Sequence, residues 1–178
     1  MTYRKIYNLE KFSGNINNIL IEADILAKSY DLEPNHYFKK DSYYHPASIS
    51  KESHDGSFEA IPNRLIRKSR PVLEAFKGLE DDLGITGTVL TRYITRFHPG
   101  DFLEWRKREG SIGKYLLIST TNCKLQFQDE TIFMNPNKGI MYKPDDIHAV
   151  KDVADMQNFI VFMISDYYEG LQDYEINF

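Results

Sequence analysis

The chain has 178 residues, 42% of them hydrophobic and 13% aromatic, and a net charge of −4. That length buries a sizeable core and that composition excludes a disordered chain. The acidic balance, with a pI of about 5.7, offers no global basic field to nucleic acid, and the lone Cys123 excludes an internal disulfide or a cysteine-cluster zinc site.

The first residues lack the apolar core of a signal peptide, and no run of about 18 apolar residues follows, so a cytoplasmic protein with no membrane partner is expected. Residues 13–30 place Ile16, Ile19, Leu20, Ala23, Leu26, Ala27 and Tyr30 at three- and four-residue steps. That spacing predicts an amphipathic helix, with Ser13 or Asn15 as its N-cap. Residues 31–60 are polar and aromatic-rich, predicting a strand near 36–44 and an exposed loop over 46–60 of the kind used as a lid or binding segment. A second helix is predicted over 63–83. Leu65, Val72, Leu73, Phe76, Leu79 and Leu83 form its apolar face, Pro71 marks a kink or break, and Gly84 is its stop.

From Gly87 the period changes to that of short strands. These are predicted at Thr88–Phe97, Phe102–Arg108, Lys114–Thr120, Lys124–Phe127, Thr131–Met134, Ile140–Lys143, His148–Val150 and Asn158–Ser165. Cys123, ahead of an apolar strand, reads as a small buried hydrophobe. The acidic, aromatic tail 166–178 reads as a segment that docks back on the fold or mediates a subunit contact, such as a homodimer. The expected fold class is α+β, mainly β: a jelly-roll double sheet with the N-terminal helices packed outside it. One domain, 1–178, is expected, made of a helical and loop-rich part (1–86), a β core (87–165) and the tail.

Three segments carry a family resemblance: Phe97-His-Pro-Gly100-Asp101-Phe-Leu-Glu-Trp-Arg106-Lys-Arg108, Asn135-Pro-Asn-Lys-Gly139, and Lys143-Pro-Asp-Asp-Ile-His148-Ala-Val150. Over residues 93–165, less than half the chain, the sequence resembles the double-stranded β-helix (cupin-like) core of the 2-oxoglutarate and Fe(II)-dependent dioxygenases, in particular the prolyl-hydroxylase-like branch. That family opens its core with Tyr-x-x-Gly-Asp-x-x-x-x-His-x-Asp, closes the metal site with a distal His in His-x-Val, and holds the co-substrate carboxylate with an Arg about ten residues on. In this alignment the first metal ligand falls on Arg106, the carboxylate ligand on Arg108 and the distal histidine on His148. Asn158 takes the place of the co-substrate arginine, and Phe97 that of a tyrosine.

The resemblance thus implies the fold and argues against the activity, because a guanidinium has no electron pair to give a metal. No catalytic residue, metal ligand set or cofactor is expected. Residues i and i+2 of a strand share a face, which would aim Arg106 and Arg108 together toward His148, with Glu104 partly neutralising them. Two guanidiniums and an imidazole make a site for a small anionic molecule, with Lys114 and Asn158 as further contacts. Alternation equally allows the opposite facing, with Leu103 and Trp105 in the core and the arginines in solvent. His98 and Asp101 read as turn formers rather than ligands.

Two alternatives belong to other classes. One is an active Fe(II) and 2-oxoglutarate-dependent hydroxylase with atypical ligands. The other is a scaffold, of the kind compact phage proteins provide, that binds a host protein through loop 46–60 or the tail. No nucleotide-binding glycine motif or nucleic-acid-binding pattern is present.

Overall fold

The computed structural model describes residues 3–29, 56–106, 113–165 and 170–176. The chain opens with a strand, β1 (Arg4–Asn8), and a 3-10 turn (Glu10–Phe12) that runs into helix α1 (Ser13–Ser29). The 3-10 turn opens at Leu9, which makes no side-chain capping hydrogen bond. Asn8 Oδ1 accepts the Glu10 N–H at 3.1 Å, and Asn15 instead donates across to Asp82 at 2.9 Å. Two short strands follow, β2 (Gly56–Ser57) and β3 (Glu59–Ile61), in residues assigned by sequence to the long loop. The rest of that loop and the strand expected near 36–44 lie outside the described residues.

The helix predicted over 63–83 is two helices, α2 (Asn63–Lys68) and α3 (Arg70–Leu83), separated by an extended Ser69. Pro71 sits in the first turn of α3, where its missing N–H has no helical partner to lose. Gly84, at φ 73°, ends α3 in the left-handed conformation that glycine adopts without strain.

The strand-rich half contains β4 (Val89–Phe97), β5 (Phe102–Arg106), β6 (Lys114–Ser119), β7 (Cys123–Phe127), β8 (Thr131–Met134), β9 (Lys138–Tyr142), β10 (His148–Val150) and β11 (Gln157–Ile164). A last strand, β12 (Glu175–Ile176), comes from the tail. Among the described residues the larger sheet runs β12-β1-β9-β6-β11-β4-β3 and the smaller β2-β5-β10-β7-β8, with antiparallel pairing throughout. The core crosses repeatedly between the two sheets, which is the double-stranded β-helix expected from the sequence. The edge strand β12 and its neighbour β1 were not expected.

Two apolar cores result. Leu116 and Ile118 of β6, with Ile160, Phe162 and Ile164 of β11, pack beneath the helices against Phe76, Leu79 and Ile19. The residues between them, Tyr115, Leu117, Phe159, Val161 and Met163, fill the space between the sheets with Phe97, Leu125, Phe127 and Tyr142. Every residue of β6 and β11 is therefore buried, on one face or the other. Each large apolar side chain so covered contributes about 1.5–3 kcal/mol. The tail docks back, as one of its two expected readings had it: Leu171 is buried, Tyr174 meets Phe12 edge-on at 5.1 Å, and Ile176 pairs with Ile6. Among the described residues no helix is long and apolar enough to cross a membrane.

Candidate functional site

His148 opens β10 immediately after a turn in which the Asp146 N–H donates to the Lys143 carbonyl at 3.0 Å. It is buried, and its ring faces the space between the sheets, with centroids 4.9 Å from Tyr142, 6.1 Å from Tyr115 and 6.5 Å from Phe127. Its Nδ1 lies 2.8 Å from the Asp146 carbonyl oxygen. A carbonyl only accepts, so this hydrogen bond is made by the form of the imidazole that carries a proton on Nδ1.

Across the smaller sheet, His148 is paired directly with Arg106. The next pair is Val150 with Leu103, so two steps on β10 match three on β5. This β-bulge inserts a residue and breaks strict alternation. The facing that puts both Leu103 and Trp105 in the core does not hold along the strand. Leu103 packs on the inter-sheet core, whereas Trp105 is 43% exposed. Glu104 pairs with Lys151 at 3.1 Å, and the same ammonium lies 5.6 Å from the Trp105 ring centre. Arg108 lies outside the described residues.

Lys114 and Asn158 do not join His148. Lys114 has the phase of Leu116 and Ile118, and its Nζ sits 4.7 Å from the ring centre of Tyr3, on the helix side of the larger sheet. Asn158 is opposite Arg96 and has the phase of Ile160 and Phe162, so it too faces the helices. Its backbone N–H donates to Thr121 Oγ1 at 3.1 Å and its carbonyl accepts the Thr120 N–H at 3.0 Å. Its buried Oδ1 has no hydrogen-bond partner among the described residues. Both residues stand apart from His148 for the same reason: the strands bearing them are covered on both faces, and these two take the outer one.

Apolar rings occupy the interior near the position the resemblance gives to co-substrate contacts. Phe97 stacks on Phe58 at 4.7 Å and meets Phe159 edge-on at 6.0 Å, while the inward residues further along β11 are Val161 and Met163. Burying a carboxylate among such rings without a partner is strongly unfavourable. His98 and Asp101 form the turn expected of them. Asp101 Oδ2 accepts the His98 N–H at 2.8 Å, the Asp101 N–H donates to the His98 carbonyl at 2.8 Å, and Gly100 between them has φ 85°.

An Fe(II) facial triad needs two imidazoles and a carboxylate converging on open coordination positions. Around His148 the described side chains are aromatic, and the nearby Asp146 carboxylate is taken by Arg4. Among the described residues no cluster of three or more His, Cys, Asp or Glu side chains is arranged to hold a metal ion. The residues described do not fit that iron centre.

Arg4 is the residue that sequence reasoning missed. Its side chain is 8% exposed. Nε and Nη2 take both oxygens of Asp146, at 2.6 and 2.8 Å, while Glu130 and Asp129 accept from Nη1 and Nη2 at 2.9 and 2.8 Å. The guanidinium lies 3.8 Å over the Phe127 ring centre. The Asp146 carboxylate, ahead of the other two, holds Arg4 firmly protonated, and Arg4 in turn holds the Asp129 carboxyl below its usual range. No local pattern announces this cluster, because its partners stand 126 and 142 residues further along the chain.

Cys123 is buried, as expected, and burial pushes its thiol above the usual range despite weak contacts to Thr121 and the Asn158 carbonyl. Two surface hollows, of about 400 and 480 Å³, lie beside the 3-10 turns and beside β8, away from His148.

No protein-family model matches this chain, and no curated protein does. Solved structures do. A prolyl hydroxylase from Trichoplax adhaerens, in complex with a hypoxia inducible factor oxygen degradation domain peptide, superposes with a TM-score of 0.62 at 11% identity, covering 92% of this chain and 83% of that one. The non-heme alpha-ketoglutarate-dependent epimerase SnoN from nogalamycin biosynthesis gives 0.60 at 8% identity, covering 93% and 78%. A Pseudomonas putida prolyl-4-hydroxylase gives 0.55 at 6% identity, covering 93% and 94%. The chain has the fold of the 2-oxoglutarate-dependent oxygenases; at these identities the likeness concerns the fold alone.

Proposed function

We propose that this chain is a non-catalytic protein of the oxygenase fold that binds a small anion where β5 meets β10. The observation that carries the reading is the direct pairing of Arg106 with His148 across those strands. In this reading Arg106 and Arg108 supply the charge, His148 supplies one directed donor, and the rings of Tyr115 and Tyr142 exclude water around it. The apolar interior around Phe97 and Phe159 supports the absence of 2-oxoglutarate chemistry. The single buried thiol suits a reducing, cytoplasmic setting.

Calorimetric titration with sulfate and with inorganic phosphate tests the site. Saturable binding is expected in the wild type, weakened about 10- to 100-fold by Arg106→Ala or Arg108→Ala, since a hydrogen bond to a charged group is worth about 1.5–3 kcal/mol. The proposal is lost if neither anion binds, if both variants bind as the wild type does, or if Fe(II)-loaded protein turns 2-oxoglutarate into succinate.

A further inference from the structure

Among the described residues the two sheets end in the edge strands β12, β3, β2 and β8, and the first three are blunted. β2 and β12 are two residues long, and β3 is a three-residue strand that carries Glu59 and stops at Pro62. Short length, charge and proline are the usual means of keeping an edge from pairing with another chain. β8 has no such protection. Its residues, Thr131-Ile-Phe-Met134, include neither a charge nor a proline, and Phe133 is 77% exposed. No described strand pairs with its outer side.

The β7–β8 hairpin fixes which backbone groups of β8 face outward. The Phe127 N–H donates to the Glu130 carbonyl at 2.7 Å, which makes these two the bonded positions next to the turn. Along an antiparallel pair, bonded positions alternate with unbonded ones. Ile132 and Met134 are therefore the residues bonded to Leu125 and Cys123. Thr131 and Phe133, opposite Gln126 and Lys124, turn their N–H and C=O groups away from β7. Lys124 has the matching phase, since its own N–H points away from β8 to Gln157 Oε1 at 3.0 Å.

We propose that this edge is a self-association site: β8 of a second copy pairs with it antiparallel, about a two-fold axis at Ile132. This register sets Thr131 against the partner subunit's Phe133 and Phe133 against the partner subunit's Thr131, so every outward N–H and C=O of β8 finds a partner. Other registers waste them. Centring on Phe133 sets Thr131 against Asn135, whose carbonyl already accepts the Ser119 hydroxyl at 2.6 Å. Centring on Thr131 sets Phe133 against Asp129, which lies in the hairpin turn. The edge is thus complementary to itself, and because each copy has one such edge the pairing closes as a dimer instead of growing into a fibre. The partner's hairpin then comes alongside the hollow of about 480 Å³ flanked by Phe133 and Met156. So short a contact falls below the roughly 1,200 Å² of a standard interface, which makes the dimer weak and concentration-dependent. Nothing in this pairing depends on the anion site.

Sedimentation velocity from low micromolar to near millimolar protein tests this, with a shift from monomer to dimer expected in the wild type. Thr131→Pro removes an N–H that the chain's own sheet does not use, so the fold is kept. It removes one hydrogen bond from each half of the dimer and is expected to weaken association about tenfold. Phe133→Lys, which charges the edge, is expected to abolish the dimer and serves if the proline variant does not fold. Leu90→Lys, at another exposed apolar side chain but in the larger sheet, should leave it unchanged. The register is read by cross-linking in a Cys123→Ser background. Ile132→Cys should form a disulfide-linked dimer under mild oxidation, since the two-fold axis sets the two copies of position 132 about 4.5 Å apart at Cα. Met134→Cys should not. Dimerisation unchanged in folded Thr131→Pro or in Phe133→Lys, or no cross-link in a folded Ile132→Cys variant, overturns the proposal. A wild type that stays monomeric throughout also overturns it, and leaves the edge to a different chain.

Discussion

Replacing Glu80 with Gln is expected to lower the melting temperature by about 6–12 °C. Glu80 on α3 is 2% exposed and Arg92 on β4 is 14% exposed, and the guanidinium engages both carboxylate oxygens through Nε and Nη2, the latter at 2.7 Å. This pair ties the helix layer to the larger sheet. Removing one partner of a buried ion pair strands the other charge and costs about 3–5 kcal/mol. Arg92 keeps some contact with water, which places this case near 3 kcal/mol. At about 2–4 °C per kcal/mol for a domain of this size, the melting shift follows. The assay is thermal unfolding by near-ultraviolet circular dichroism, paired with urea unfolding to confirm an unchanged denaturant slope. The double variant Glu80→Leu with Arg92→Met should recover most of the loss, because neither charge is left alone. A single-variant loss below about 1 kcal/mol, which is how an exposed pair behaves, would refute the reasoning.

Two further outcomes are expected. Cys123, buried and with its thiol pushed above the usual range, should resist iodoacetamide at pH 8 in the native state and react fully in urea; native-state labelling at the rate of a free thiol contradicts that placement. Arg106→His combined with Arg108→Asp would rebuild a two-histidine, one-carboxylate set with His148. Anaerobic titration should then show about one equivalent of Fe(II) bound by the variant but not by the wild type, and a folded variant that binds none means that positions 106 and 108 do not stand where the resemblance puts them.

Much of the architecture was legible because its signals are local. Gly and Pro punctuate the short strands, the apolar stripe from Ile16 to Leu26 marks α1, and Pro71 with Gly84 brackets α3. The site was less legible, for identifiable physical reasons. Alternation reveals a strand's inner face only when the other face is wet. β6 and β11 are covered on both sides, so nothing in Lys114-Tyr-Leu-Leu-Ile-Ser119 or Gln157-Asn-Phe-Ile-Val-Phe-Met-Ile164 tells that Lys114 and Asn158 turn toward the helices. The bulge between Leu103 and Arg106 exists only relative to β10, so no reading of β5 alone contains it. β1 and β12 are short and half-polar, and they become strands because β9 offers β1 an edge, which β1 then offers to β12. The role of Arg4 was hidden for the same reason, since its carboxylates come from turns far along the chain.

The placement of β1 also constrains the order in which the molecule can assemble. Its neighbours are β9 and β12, so this strand has no sheet to join until synthesis has passed β9. Closing such distant contacts carries a loop-entropy cost before any burial offsets it, which favours slow folding. The turn that delivers Asp146 meets Arg4 only at that late stage. A nascent or truncated chain ending before β9 would therefore carry Arg4 without Asp146, the least exposed of its three carboxylates.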